Sequence, residues 1–264
     1  MIRLFLILIL NCFIASSWAS NELRELEYAE EIESSFSTGG IVWLKAKPEV
    51  KAKEKSFLAL YTQTEPESNV GTAIILHPMG GHPNQAKLIK PLRTFLPQHN
   101  WASLSLQMPV LSLGAKEQEY FSLFDEASTR IEAALAFLES AEAKNIVLIG
   151  YGLGGMMALY YLKNNSQSTT VKALVTISLA VPKTSYKNAQ ITDFIEQIEQ
   201  PVLDIFAEYD LPEVVDTARK RKVSGASSKA YRQIKLAGEG HLYQHDEGLL
   251  VKRVYSWMNR ILGK

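Results

Sequence analysis

The chain has 264 residues, 47% of them hydrophobic, which is enough for one large α/β domain or two small ones around a sizeable core. Lysine plus arginine and aspartate plus glutamate both number 28, so no global field draws the chain to nucleic acid or to an anionic membrane. A polyanionic partner is therefore not expected.

The amino-terminal stretch holds Arg3, then an apolar run from Leu4 to Leu10 that continues through Phe13 to Ala15. Ser17-Trp18-Ala19 follows, with small residues where a signal peptidase reads them. The run is shorter than the roughly 20 residues a spanning helix needs, and Asn11 interrupts it. Residues 1–19 are thus expected to be a signal peptide cleaved near Ala19, with export into a periplasm and no membrane span in the mature chain. The only cysteine, Cys12, lies inside this segment, which leaves no thiol or cysteine metal site behind, and Asn11 before it argues against lipid attachment. Residues 20–36 are acidic, with six glutamates against one arginine between Asn21 and Glu33. Leu23, Leu26 and Ile32 are too sparse to cover a face well, so a frayed or surface-lying arm is expected.

From residue 37 to 264 the pattern is that of one α/β domain. Ile41 to Lys45 and Phe57 to Thr62 alternate apolar and polar residues across the charged stretch Glu49 to Lys55, which predicts a hairpin at a sheet edge. Lys51, Lys53 and Lys55 then serve as guards against strand addition. Val70 to Leu76 is a continuous apolar run of the kind buried on both faces. After it come a helix with Leu88, Leu92, Phe95 and Leu96 on one face, the strand Ser103 to Leu106, and a helix that sets Ile131, Ala134, Leu135 and Leu138 in register. The strand Ile146 to Ile149 leads into a second apolar helix. Then follow strand Ala173 to Ser178, helix Ile191 to Ile198, strand Val202 to Phe206, a helix near Val214 to Lys222, strand Tyr231 to Leu236, and a closing helix striped by Leu250, Val254, Trp257, Met258 and Ile261. Such alternation predicts right-handed βαβ units and eight strands in a mostly parallel sheet with helices on both faces.

The chemistry centres on Gly150-Tyr151-Gly152-Leu153-Gly154, between a buried strand and an apolar helix. This has the glycine frame of a G-x-S-x-G nucleophile elbow, in which a strained turn lifts the central side chain off the strand tip. The central residue here is Gly152, which has no hydroxyl. An antiparallel hairpin, a parallel series and an elbow after the fifth strand together resemble the α/β-hydrolase fold. In that fold the catalytic acid follows the seventh strand and the histidine follows the eighth, and here those places hold Asp210 and His241. Glu208, Glu239, His245 and Asp246 are less well placed competitors, and Asp210 could instead only cap the helix near Pro212. Oxyanion donors by the same analogy are the N–H groups of Leu153 and of Met79 or Gly80, although Pro78 beside them donates nothing. His77 and His82, five apart with no third ligand, do not make a metal site, and no cofactor is expected.

The runs LHPMGGHPN, LIKPLRTFLPQHNWASLSLQMPVL and VLIGYGLGG resemble an uncharacterised family of exported bacterial proteins, domain of unknown function 3530. The resemblance implies the α/β-hydrolase fold and supplies no activity. Three readings of function follow. The first is a degenerate hydrolase that binds a small molecule or a protein partner. The second is an esterase or amidase in which His241, oriented by Asp210, activates a water. The third has Ser178 or Ser105, at neighbouring strand tips, replace the absent hydroxyl.

Overall fold

The computed structural model describes residues 20–36, 39–46, 54–227, 230–245 and 248–263. The expected signal peptide, with Cys12, lies outside the described residues, as do Lys51, Lys53 and Asp246. Eight strands form one sheet: β1 (Gly40–Ala46), β2 (Lys55–Thr62), β3 (Gly71–Leu76), β4 (Trp101–Leu106), β5 (Ile146–Tyr151), β6 (Val171–Ile177), β7 (Val202–Tyr209) and β8 (Tyr231–Gly240). Their order is β1-β2-β4-β3-β5-β6-β7-β8. The β1–β2 and β2–β4 pairs are antiparallel and all the others parallel. Because the chain leaves β3 to build β4 on one side and then crosses to build β5 on the other, the strand order reverses about β3. The crevice at the carboxyl ends of β3 and β5 is where a parallel sheet of this kind holds its ligand.

The helices are α1 (Glu22–Ser35), α2 (Ile89–Phe95), α3 (Glu117–Tyr120), α4 (Phe124–Ser140), α5 (Leu153–Asn164), α6 (Ile191–Gln197), α7 (Pro212–Val215), α8 (Ala218–Ser224) and α9 (Leu249–Leu262). Strand alternation splits the core in two. Ile74, Leu76, Leu104 and Leu148 face α4, α5 and α6, whereas Ala73, Ile75, Val147 and Ile149 face α2 and α9. The α9 stripe of Leu250, Val254, Trp257 and Met258 is buried as its spacing predicts, each side chain contributing about 1.5–3 kcal/mol by leaving water. The expected helix near Val214 to Lys222 is two, α7 and α8, and β8 runs on to Gly240. Asp204 of β7 accepts from Arg221 Nε of α8 (2.8 Å), Tyr231 Oη (2.7 Å) and Gln233 Nε2 (2.8 Å) of β8, a buried knot that fixes the strand leading to His241.

The acidic arm is not frayed. It forms α1, capped by the Asn21 side chain, which accepts from Arg24 N, and it lays Ala29 and Ile32 on Leu58 and Leu60 of β2. Leu23 and Leu26 stay exposed, so the apolar count was indeed too thin to signal docking. Polar anchors supply the rest. Glu25 pairs with the buried Arg130 of α4 at 2.9 Å, and Arg24 Nη2 and Tyr28 Oη donate to the Gly80 carbonyl at 3.1 and 2.8 Å. Lys55 is not a free edge guard either, because it reaches Glu22 at 3.1 Å and Glu126 at 3.7 Å. Among the described residues no helix is long and apolar enough to cross a membrane.

Candidate active site

All six residues of β5 are buried, and the chain turns off its end at Gly152 with φ 52° and ψ −117°. The turn is tied down on both sides: Gly152 N–H donates to the Ile177 carbonyl (2.8 Å), and Gly155 N–H returns to the Gly152 carbonyl (3.0 Å). Flanking glycines are required by contact. A Cβ on Gly150 would run into the Gly155 amide nitrogen, and one on Gly154 would lie 2.5 Å from the Leu76 carbonyl oxygen. Gly152 is different, for a Cβ there would meet only Pro78 Cβ at an ordinary 3.6 Å. The backbone is thus set as an elbow sets it, with space for a side chain and none present. Gly150→Ala or Gly154→Ala should cost about 1–3 kcal/mol or more by forcing strand and helix apart. Urea unfolding midpoints check this, and an unchanged midpoint in both variants would contradict the close approach.

Asp210 and His241 come together. His241 Nδ1 stands 2.6 Å from Asp210 Oδ1, the ring partly open to solvent and the carboxylate buried. Asp210 is also a hub for three loops. Oδ2 accepts from Ser178 Oγ (2.5 Å), Ala207 N–H (3.0 Å) and Tyr243 Oη (3.3 Å), while Oδ1 accepts from Leu211 N–H (2.9 Å). Burial works to raise its pKa, but the hydrogen bonds from His241, Ser178, Ala207 and Leu211 prevail and hold it below the usual carboxylate value. A carboxylate held ionised beside Nδ1 fixes the imidazole with its proton on Nδ1 and its lone pair on Nε2.

That lone pair already has a partner. Tyr151 Oη lies 3.0 Å from His241 Nε2 and 2.9 Å from the His241 carbonyl oxygen, and its single proton serves one acceptor at a time. Burial, with the Asp210 charge behind it, raises the phenol pKa, so the hydroxyl stays protonated and can donate. Tyr151 sits inside the glycine pentad itself. Only its spacing from the histidine, invisible in sequence, gives it a place in the site.

The loop after β3 is built around a buried imidazole. His77 Nε2 accepts the Met108 N–H at 2.9 Å, so Nδ1 carries the proton and donates to the Pro78 carbonyl at 2.8 Å. Burial pushes the His77 pKa down to about 3, which keeps that tautomer neutral. Pro78 O also accepts Gly81 N–H (3.0 Å), closing a tight turn with Met79 and Gly80 at its tip. Gly80 takes a positive φ of 66°, and its carbonyl is the one gripped by Arg24 and Tyr28 of α1. Leu153 begins α5, where the first N–H groups have no intrahelical acceptor and the helix dipole adds partial positive charge. The N–H of Leu153 thus opens α5 directly after the elbow tip, and Pro78, which precedes Met79 and Gly80, is the neighbour that a Cβ on Gly152 would meet.

The alternative hydroxyls are engaged. Ser178 does sit at a strained position, with φ 50°, but it is buried and its Oγ bonds to Asp210 and to Tyr243 Oη (2.8 Å), so it supports the acid. Ser105 Oγ is buried and donates to the Pro83 carbonyl (2.8 Å). Of the competing acids, Glu208 pairs with Lys235 at the surface (3.1 Å), and Glu239 accepts from the His245 amide (3.3 Å). His82 Nδ1 accepts from the Asn84 amide (3.3 Å) and its ring lies 5.1 Å from that of Tyr28.

Sheet order, elbow backbone and the loop positions of Asp210 and His241 define an α/β-hydrolase fold. Its structural relatives agree. Est1E from Butyrivibrio proteoclasticus matches with a TM-score of 0.66 at 15% identity, covering 86% of this chain and 100% of that one. An esterase domain from a Rhodothermus marinus protein matches at 0.63 and 16%, covering 84% and 100%. XC6422 from Xanthomonas campestris, described as an α/β serine hydrolase without a lid, matches at 0.62 and 14%, covering 86% and 97%. No curated protein sequence is similar to the chain. The chain belongs to the family described as protein of unknown function DUF3530, whose model matches residues 38–122 and 114–260.

Proposed function

We propose that the protein is a degenerate hydrolase, exported and acting in the periplasm as a ligand- or partner-binding scaffold. One observation carries the reading: the elbow tip at Gly152 has hydrolase backbone geometry and no side chain, while the base beside it is capped by Tyr151 Oη. In subtilisin, loss of the serine costs about 2 × 10⁶ in kcat and leaves roughly 10³–10⁴ over water. A remainder of that size is poor for an enzyme. What the crevice keeps is the means to hold a carbonyl or carboxylate: amides at the start of α5, the turn at Met79 and Gly80, and an ordered imidazole.

The second reading is an esterase- or amidase-type hydrolase with a water in place of the serine hydroxyl. Its support is the 2.6 Å contact between Asp210 and His241, the arrangement a general base needs. For such chemistry Tyr151 must release Nε2 so that it can take a proton from water. Esters are the natural probe, since one structural relative is named an esterase domain. On the scaffold reading, p-nitrophenyl butyrate raises the melting midpoint and is recovered intact by mass, and a fluorophosphonate leaves the protein unlabelled because Gly152 offers no activated hydroxyl. Label on Ser178 or Ser105 would contradict it.

A further inference from the structure

A cavity of about 300 Å³ opens between α1 and the β1–β2 hairpin, and no residue of the elbow or of the Asp210–His241 pair lines it. Leu26 and Trp43 stand at its mouth, 50% and 44% exposed, while Phe57 and Leu58 of β2 give it a buried apolar wall. Two further lining side chains, Gln107 after β4 and Arg130 of α4, are each 1% exposed, and each keeps one polar atom without a partner. Arg130 commits its outer nitrogens to Glu25 (2.9 Å), Glu126 (2.6 Å) and the Gln107 carbonyl (2.9 Å), which leaves Nε–H over. The Gln107 side chain stands 2.8 Å from the Met108 carbonyl, an acceptor only, so the atom there is the nitrogen and the unpartnered one is the oxygen Oε1. One free donor and one free acceptor thus belong to the lining of the same cavity.

We propose that the cavity binds a small apolar molecule ending in a neutral primary carboxamide, whose carbonyl accepts from Arg130 Nε–H and whose amide nitrogen donates to Gln107 Oε1. A primary carboxamide carries its acceptor and a donor on one edge, so it serves both atoms from one position. A buried polar group left unpaired is costly, which favours an occupant that pairs both atoms over one that pairs neither. Charged end groups fit less well. An ammonium offers Arg130 nothing, and a carboxylate has no proton for Gln107 and meets Glu22, Glu25 and Glu54 against only Lys55 and Arg130. At organic packing density the volume takes on the order of ten non-hydrogen atoms, and the aromatic side chains of Trp43 and Phe57 suit a ring at the far end of the molecule. The site is separate from the crevice, so it stands whether or not the crevice is catalytic.

The probes are hydrocinnamamide, benzylacetone and hydrocinnamate, molecules of equal size that put a carboxamide, a methyl ketone and a carboxylate on the same phenylethyl group. Each is titrated into the purified protein, and the tryptophan indole N–H signals are followed by heteronuclear NMR. The Trp43 indole should shift with a midpoint on the order of 1 mM for the amide. The indoles of Trp101 and Trp257, buried in the part of the core beside α2 and α9, should stay in place. The ketone and the acid should bind at least about tenfold more weakly, because each leaves Gln107 Oε1 unpaired. Gln107→Leu should remove the preference for the amide over the ketone. Trp43→Ala alters only the exposed mouth and should weaken the amide by about tenfold, read on the signals of the ligand itself. An unmoved Trp43 indole at about 20 mM amide, equal affinity for the three compounds, an amide preference that survives in folded Gln107→Leu, or an amide midpoint unchanged by Trp43→Ala overturns the proposal.

Discussion

Gly152→Ser is expected to make the protein react covalently with fluorophosphonates and to raise hydrolysis of p-nitrophenyl acetate by roughly 10²–10⁴-fold. The backbone at residue 152 already has the elbow conformation, and a Cβ fits against Pro78 at 3.6 Å. A positive φ of 52° on a residue with a side chain costs on the order of 1–3 kcal/mol, which the hydrogen bonds to Ile177 and from Gly155 can sustain. Tyr151 limits the gain, because its hydroxyl competes with a serine hydroxyl for His241 Nε2. Adding Tyr151→Phe to Gly152→Ser removes that competitor and should raise the rate by about another tenfold. Initial rates and intact mass after labelling decide it. A folded Gly152→Ser protein with neither label nor rate would mean that the Asp210–His241 pair serves only to join loops.

Asp210→Ala is expected to destabilise the protein by about 3–5 kcal/mol, lowering the melting midpoint by on the order of 10 °C. The loss is large because the substitution strands donors on β7 and in the loops after β6, β7 and β8: the Ala207 amide, Ser178 Oγ, the Leu211 amide and Tyr243 Oη. Asp210→Asn keeps the shape and one carbonyl acceptor, so it should cost less. The pH dependence has a definite sign. The folded-state pKa of Asp210 lies below its unfolded value, so its contribution is present above about pH 3.9 and is lost as pH falls through the folded value. Asp210→Asn should therefore flatten the acid limb of the stability profile below about pH 4. A midpoint within about 2 °C of the natural protein for Asp210→Ala would contradict the hub.

The sheet was legible because each buried strand is an apolar run at the right interval, and the loop positions of Asp210 and His241 followed from counting strands. Two features were not. α1 docks through Glu25, Arg24 and Tyr28 rather than through an apolar stripe, and partner carbonyls and a buried arginine leave no periodic trace in sequence. Tyr151 and Ser178 owe their roles to distances across 90 and 32 residues of chain, set only when β6, β7 and β8 align. The glycines divided in an instructive way. Gly150 and Gly154 are demanded by backbone contact, but the sequence alone cannot say that Gly152 is not.

The scaffold reading turns most directly on the hydrolysis of an activated ester by the natural protein beside His241→Ala. Both should show the same rate, no faster than the ester hydrolyses in buffer with an unrelated protein of equal concentration, because binding in the crevice does not require a proton acceptor. Turnover by the natural protein that disappears in His241→Ala, while the variant keeps its fold by circular dichroism, would contradict the scaffold and establish a water-activating hydrolase.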